Sequence, residues 1–385
     1  MVDASLRLDD PAAARGRAPA IDVRVGTSVL EAHAMVDALS GEAIHTGYQH
    51  PAFLAAWLDK VRCRPVFVQM RAAGHGPVLL PLEVCSQGIA GYCGGRHANG
   101  NFPLGRPADL AALAQCGPGA VRRALKRAAL PASAVILERQ HRQWRGLANP
   151  FVLRGSVPSP NVALSFSLQG GFDAVLAARS GKRKRKKYRN HLRKLQAMGT
   201  VRFHHPVPSQ AVTETLDAFL ALKAERFRQA GIVNVFGDAP TRAFFHALFG
   251  SGVPAFELHA LTVGDVPAAI IGCTIHDGRL TVEFGTFDAR FAHAGPGEML
   301  FFSAIAHACA RKLAVFDFGI GDEPYKRAWC DIETTHVDTA LGLTPAGRAS
   351  AVAQLARSRA VRFVKSHERL WALTKAARKR LAPTG

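Results

Sequence analysis

The run from Ala255 to Phe287 constrains the fold more tightly than any other part of this 385-residue chain. Three apolar, β-rich segments, Ala255 to Val263, Ala268 to His276 and Leu280 to Phe287, are joined by Gly264-Asp265 and Asp277-Gly278. Such pairs favour the positive φ angles that two-residue hairpins require, so an antiparallel meander is expected. A glycine-bearing loop, Ala294 to Gly297, then opens an apolar helix, Glu298 to Arg311, and a buried strand follows at Ala314 to Phe318. Strand, loop, helix and strand in that order form a β-α-β unit.

The first half carries a similar order. A strand at Ile21 to Val25 precedes helical spacing at Val29 to Leu39 and a helix over Pro51 to Val61 with proline in its first turn. Val66 to Met70 and Val78 to Val84 read as a hairpin across Ala73 to Pro77. The Gly- and Asn-rich stretch Gly91 to Gly105 is loop, followed by a helix at Gly119 to Leu130 and a strand at Ala134 to Glu138. Asn149 to Pro160, with Gly155, Pro158 and Pro160, is the best boundary. Beyond it come a basic helix over about Phe172 to Met198 interrupted near Ser180-Gly181, a strand at Val201 to His204, and helices at Gln210 to about Gln229 and Thr241 to Leu248. The expectation is α+β, with a leader at 1–20, an N-terminal half at 21–150, a second half at 161–343 and a basic helical tail at 344–385.

Composition closes off several classes. The hydrophobic fraction is 48% and the charged fraction 20%, too apolar for a disordered chain. The longest apolar stretches fall short of the roughly 20 residues that a membrane span needs. The first 20 residues carry Asp3, Asp9 and Asp10 and no apolar core of a signal peptide, and read as a disordered leader. Seven scattered cysteines without a C-x-x-C favour a reducing cytoplasm. His204-His205 has no Cys or carboxylate at ligand spacing beside it, so no metal is expected.

The net charge of +20 is concentrated in two places. Residues 179–194 hold ten Lys or Arg and no acid, and residues 344–385 hold ten against the single Glu368. Either run is a solvated face, or a surface for substrate phosphates, RNA or an anionic membrane, the last two through 179–194 and 350–380. The second run has the pattern of a basic amphipathic helix, able to pack on the globule or lie on a membrane at the inner face.

After the last strand the sequence reads Asp317-Phe318-Gly319-Ile320-Gly321-Asp322-Glu323-Pro324-Tyr325-Lys326-Arg327-Ala328-Trp329. This D-F-G-x-G-D-E-P-Y-K-x-x-W resembles the signature of GNAT-type acetyltransferases of the CelD/BcsL kind, associated with cellulose and exopolysaccharide, and related to Fem-type aminoacyltransferases. The resemblance extends to F-G-T-F-D at 284–288, G-P-G-E-M-L at 295–300, the basic run before Leu195, and Gln49 to Leu54 with Leu80-Pro81-Leu82. It implies a GNAT fold, here as two GNAT-like halves, and acyl transfer from acetyl-CoA or another acyl-CoA to a small-molecule or saccharide acceptor bearing an amine or hydroxyl.

In that fold the pantetheine lies between the fourth and fifth strands, here Leu280–Phe287 and Ala314–Phe318, with the pyrophosphate over the following loop and helix start. The resemblance therefore assigns donor binding to Phe287, Gly295, Gly297, Glu298 and Met299. The usual R/Q-x-x-G-x-G/A loop is altered: Arg290 lies five residues before Gly295, and Pro296 removes one N–H. Position 283, commonly aromatic in the family, is Glu283.

Acyl transfer needs a base for the acceptor, donors for the oxyanion and an acid for the thiolate. Glu283 is the candidate base, against an ordinary surface or Arg-paired glutamate. Tyr325 is the candidate acid, against a packing aromatic. Lys326 is a candidate for neutralising the oxyanion or a phosphate. Asp322 and Glu323 are expected to cap the next helix, Asp317 to orient Lys326 or Arg327, and Trp329 to lie in the core. Two rival functions remain: a Fem-like aminoacyl-tRNA-dependent transferase with 179–194 tracking phosphates, and a non-catalytic scaffold binding RNA or membrane.

Overall fold

The turn at Asp277-Gly278 has φ of 51° and 68° at its two residues, the twist-matched geometry that holds neighbouring strands in a tight hairpin. In the computed structural model, which describes residues 20–39, 41–206, 210–367, 369–371 and 374, the elements of the first half are β1 (Ile21–Gly26), α1 (Val29–Asp37), α2 (Pro51–Val61), β2 (Arg64–Ala72), β3 (Pro77–Val84), β4 (Ile89–Tyr92), α3 (Pro107–Gln115), α4 (Gly117–Arg127) and β5 (Ala134–Gln140). A small hairpin, β6 (Gln143–Trp144) and β7 (Leu147–Ala148), leads to β8 (Val157–Ser167). The second half has α5 (Gly171–Ala177), α6 (Gly181–Gln196), β9 (Val201–His204), α7 (Gln210–Gln229), α8 (Ala239–Phe249), β10 (Phe256–Val263), β11 (Val266–His276), β12 (Arg279–Phe287), α9 (Pro296–Ala310), β13 (Val315–Ile320), α10 (Pro324–Arg327) and β14 (Ile332–Gly342). The chain continues into α11 (Pro345–Ser366).

Among the described residues, one twelve-stranded sheet runs in the order β1-β2-β3-β4-β5-β14-β8-β13-β12-β11-β10-β9. Each half contributes five strands in the same sense, the fourth and fifth parallel: β4 with β5, and β12 with β13. The two central strands are exchanged. β8 follows β5 in the chain yet pairs with β13, whereas β14 follows β13 and pairs with β5. The order therefore reads the same from both edges, and the halves are two similarly ordered α+β units joined through one sheet.

Alternation across the strands separates the cores. On one face, Phe67, Leu79, Leu258, Ala260 and Ile270 pack with α1, α2, α7 and α8 of both halves in one cluster that includes Trp57 and Phe244. On the other face, Val66, Val68 and Leu80 pack under α3 and α4, while Leu261, Ile271 and Cys273 pack under α9. The basic C-terminal helix α11 lies against β14, β8 and β5, with Gly347, Ala351 and Ser358 buried. Asp338 ties this seam together by accepting hydrogen bonds from Arg139 N (2.9 Å), Ser159 Oγ (2.5 Å) and Ser358 Oγ (2.8 Å). The boundary stretch at 149–160 contains the start of β8. No described helix is long and apolar enough to cross a membrane.

Candidate active site

β12 and β13 register over only three pairs, Arg279↔Val315, Leu280↔Phe316 and Thr281↔Asp317. Beyond them the strands part, and Val282–Phe287 faces Phe318–Ile320 across a cavity of about 540 Å³. The gap lies where the family resemblance places the donor.

A β-bulge sets the chemistry of one wall. Gly272 pairs with Phe284 and Cys273 with Val282, leaving Glu283 as the extra residue. A bulge re-aims side chains by breaking the two-residue period. Here Leu280 lies in the α9-side core and Phe284 in the opposite one, so the parity has switched at Glu283. The switch needs glycine at 272: a Cβ there would lie 2.1 Å from Phe284 Cζ.

Glu283 is partly exposed on the cavity, but its Oε1 is sealed from solvent and has no hydrogen-bond partner. Burial raises its pKa to about 7, with nearby Asp317 adding to the rise and hydrogen bonds from Tyr48 and Thr274 opposing it. It also borders a second pocket of about 30 Å³, lined by His141, Thr274, Arg279 and His336, room for a water or two. A carboxyl that titrates near neutrality beside a cavity has the properties of a general base.

Tyr325 stands on the opposite side, on α10 just past β13. Its ring stacks on Phe301 (5.4 Å between centroids) and meets Phe318 edge-on (5.9 Å). Burial, followed by Glu323, raises its phenol pKa, so it stays protonated at neutral pH. It lines both this cavity and an adjoining cleft of about 700 Å³. Lys326 is buried, with Nζ donating to Ile320 O (2.7 Å) and paired with Glu323 (3.0 Å), at the cavity edge.

Three sequence expectations for this segment change. Glu323 is the N-cap of α10 but makes no capping bond, because its carboxylate turns to Lys326; Asp322 is engaged by Arg327. Asp317 is held by Arg279 (2.9 Å) and by the Gly319 N–H (2.8 Å), while Lys326 Nζ is taken by Ile320 O and Glu323, and Arg327 by Asp322 and Glu333. Trp329 packs at the margin of the α9-side core, stacked on Phe166 (6.0 Å), but is only half-buried, with Lys184 Nζ 3.9 Å above its ring.

The start of α9 closes the cavity. Gly295 is the N-cap at φ 65° with no side-chain cap, and a Cβ there would collide with the His191 ring (2.3 Å). Gly297 and Glu298 line the cavity, and Phe287 lies under the Arg226 guanidinium (4.2 Å). Glu298 pairs with Lys187 of α6. Met299 is a core residue whose N–H bonds Gly295 O (3.2 Å), and its side chain reaches the wall of the larger cleft. Pro296 has no N–H to give, so Gly297 and Glu298 supply the remaining open donors of the first turn.

That cleft runs between α9, α10 and α6, lined by Arg183, Lys184, Lys187, Tyr188 and His191. Burial, with Arg183 and Arg179 nearby, lowers the Lys184 pKa to about 8, and its Nζ donates to Ala328 O (2.8 Å). Arg179 faces inward, on Trp329 O and Asp331.

Sequence reasoning missed Tyr48, Asn99, Lys223 and Arg226, all of which line the cavity. Lys223 Nζ donates to Gly285 O (2.9 Å), and burial, with Arg226 beside it, lowers its pKa to about 8. Lys223 and Arg226 lie three residues apart on α7, a spacing that shares a helix face and was readable. Tyr48 and Asn99 come from the other half, and nothing local signals their approach.

Residues 182–327 match the family model described as an acetyltransferase (GNAT) domain. The matched segment lies in the second of the two similarly ordered halves of the α+β fold and contains β12, α9, β13 and α10. No curated protein matches it by sequence. Among solved structures, it is similar to the C-terminal domain (DUF2156) of a putative lysylphosphatidylglycerol synthetase from Agrobacterium fabrum, at 12% identity over 84% of this chain and 93% of that one, with a TM-score of 0.49. It is also similar to FemX, at 11% identity over 77% of this chain and 96% of that one, with a TM-score of 0.49. A tandem GNAT protein from the clavulanic acid biosynthesis pathway matches at 10% identity over 85% and 99%, with a TM-score of 0.43.

Proposed function

We propose that the second half transfers an acyl group, acetyl in the simplest case, from an acyl-CoA to an amine or hydroxyl. The acceptor class suggested by the family resemblance is a saccharide or cell-envelope component. The observation that carries this reading is the parted β12–β13 pair, with Glu283 on one wall and Tyr325 on the other. Glu283 takes the proton from the attacking N–H or O–H, a bond forms between that atom and the acyl carbon, and the C–S bond breaks. Tyr325 gives its proton to the departing sulfur. In this reading the Gly297 and Glu298 N–H groups and the α6 cations Lys184 and Lys187, which line the two clefts, hold the donor's phosphates.

One observation favours an aminoacyl-tRNA donor instead. α6 carries nine Lys or Arg and no acid, more than the pyrophosphate and single monoester of a CoA require. The two donors are separated by a thermal-shift titration with CoA, acetyl-CoA and total tRNA in parallel. At about 100 times Kd a ligand stabilises by roughly 2.7 kcal/mol, a shift of a few degrees. A shift with both CoA species is expected. Silence with both, together with a tRNA response that weakens steeply with salt and is lost in K184S/R185S/K186S, overturns the CoA reading. Silence with all three favours a binding scaffold.

A further inference from the structure

Away from the cavity, the antiparallel register of β9 with β10 assembles a histidine cluster at the sheet edge. His204 pairs with Ala260, which sets His205, one residue on, across from His259. Glu257 lies two residues before His259 on the same face of β10, and α9 delivers His307 from its last turn. The ring centroids of His205 and His259 are 4.1 Å apart, and those of His205 and His307 are 3.8 Å apart. Donor atoms of His205, Glu257 and His259 all lie within 4.8 Å of one another. His205 and His307 each lie about 50 residues from the Glu257–His259 pair, so only that two-residue spacing, and not the cluster, is local in the sequence.

The cluster is under-satisfied in a way that packing alone does not explain. Both ring nitrogens of His205 and Nδ1 of His259 are buried without a hydrogen-bond partner, and buried imidazole nitrogens ordinarily have one. Glu257 Oε2 is fixed by Arg311 (2.6 Å), leaving Oε1 turned toward His259 (2.7 Å). A cleft of about 390 Å³ lined by His205, Glu257, His307 and Arg311 opens the cluster to solvent.

We propose that His205, Glu257, His259 and His307 form a divalent transition-metal site, with zinc the ion best matched to three imidazoles and one carboxylate. Tetrahedral zinc with bonds of about 2.0–2.2 Å needs donors roughly 3.4 Å apart, a contraction that rotamer shifts supply. Arg311 then serves as an outer partner that orients the carboxylate. The ion would fasten the edge strand β9 to β10 and to the end of α9, a structural role distinct from the acyl-transfer cavity.

The test uses the full chain stripped with chelator, titrated with Zn²⁺ against a chromophoric competitor, with Tm followed in parallel. One tight equivalent and a Tm rise that Mg²⁺ does not reproduce are expected. His205→Ala and His307→Ala, both at partly exposed positions, each weaken binding by at least about 100-fold and abolish the Tm rise. His45→Ala, in the separate cluster with His50 and His276, leaves the affinity unchanged. Absence of a tight equivalent, unchanged binding in both ligand variants, or loss of binding in His45→Ala each overturns the proposal.

Discussion

Glu283 shows how one carboxylate becomes a candidate base through its surroundings. Its sequence neighbours are ordinary β residues; burial at the bulge, with Asp317 nearby, raises its pKa to about 7 against the opposing hydrogen bonds from Tyr48 and Thr274. Activity of the wild type should therefore rise with pH through about 7. Glu283→Gln should lower kcat/KM by about 10²–10⁴-fold and remove that limb of the profile. Tyr325→Phe should lower kcat about 10²-fold with Tm unchanged, because the ring packing on Phe301 and Phe318 survives. An unaltered rate in either variant would remove that residue from the chemistry.

At the scale of elements, the notable feature is the pair of exchanged strands. β8 contains Pro158 and Pro160, residues that argue against a central strand, and β14 is polar for much of its length. Neither reads as a strand locally, and both are held by tertiary partners, above all by Asp338. Removing that carboxylate leaves the Arg139 N–H and two hydroxyls short of an acceptor. Asp338→Ala should cost about 2–4 kcal/mol, and Ser358→Ala about 1 kcal/mol, measured by urea unfolding. Equal stability of Asp338→Ala and wild type would show that the seam is held by apolar packing instead.

For the whole molecule, the halves meet through histidine side chains. His45 stacks on His276 of the other half (4.3 Å), and His276 Nε2 contacts His45 O (2.8 Å). Burial is the leading cause that depresses His45, His50, His97 and His336 to about 4 each. Between pH 6.5 and 4 the unfolded chain binds protons that these folded groups refuse, so their stabilisation is lost as pH falls through that window. Glu283 acts in the opposite sense: its raised pKa makes the fold more stable once it is protonated, but it is one group against four. Tm should therefore drop by several degrees from pH 7.5 to pH 5, and the drop should be larger in Glu283→Gln. A flat profile would mean that these histidines relax and charge within the folded protein.

Local physics made most of the elements legible. Proline at the start of α2, the Asp277-Gly278 turn and the break at Ser180 before α6 each bias the backbone over a few residues, and each appears where the sequence places it. The α+β class, the β-α-β unit and the segment with Glu283, Tyr325 and Lys326 follow from the same short-range signals and from the motif ending at Trp329. Tertiary structure alone decided the exchange of β8 and β14, the bulge that re-aims Glu283, the approach of Tyr48 and Asn99 from the other half, and the meeting of His205 with Glu257, His259 and His307. Strand register and contact across a cavity depend on residues distant in the chain, and that information has no local periodicity or turn chemistry to carry it.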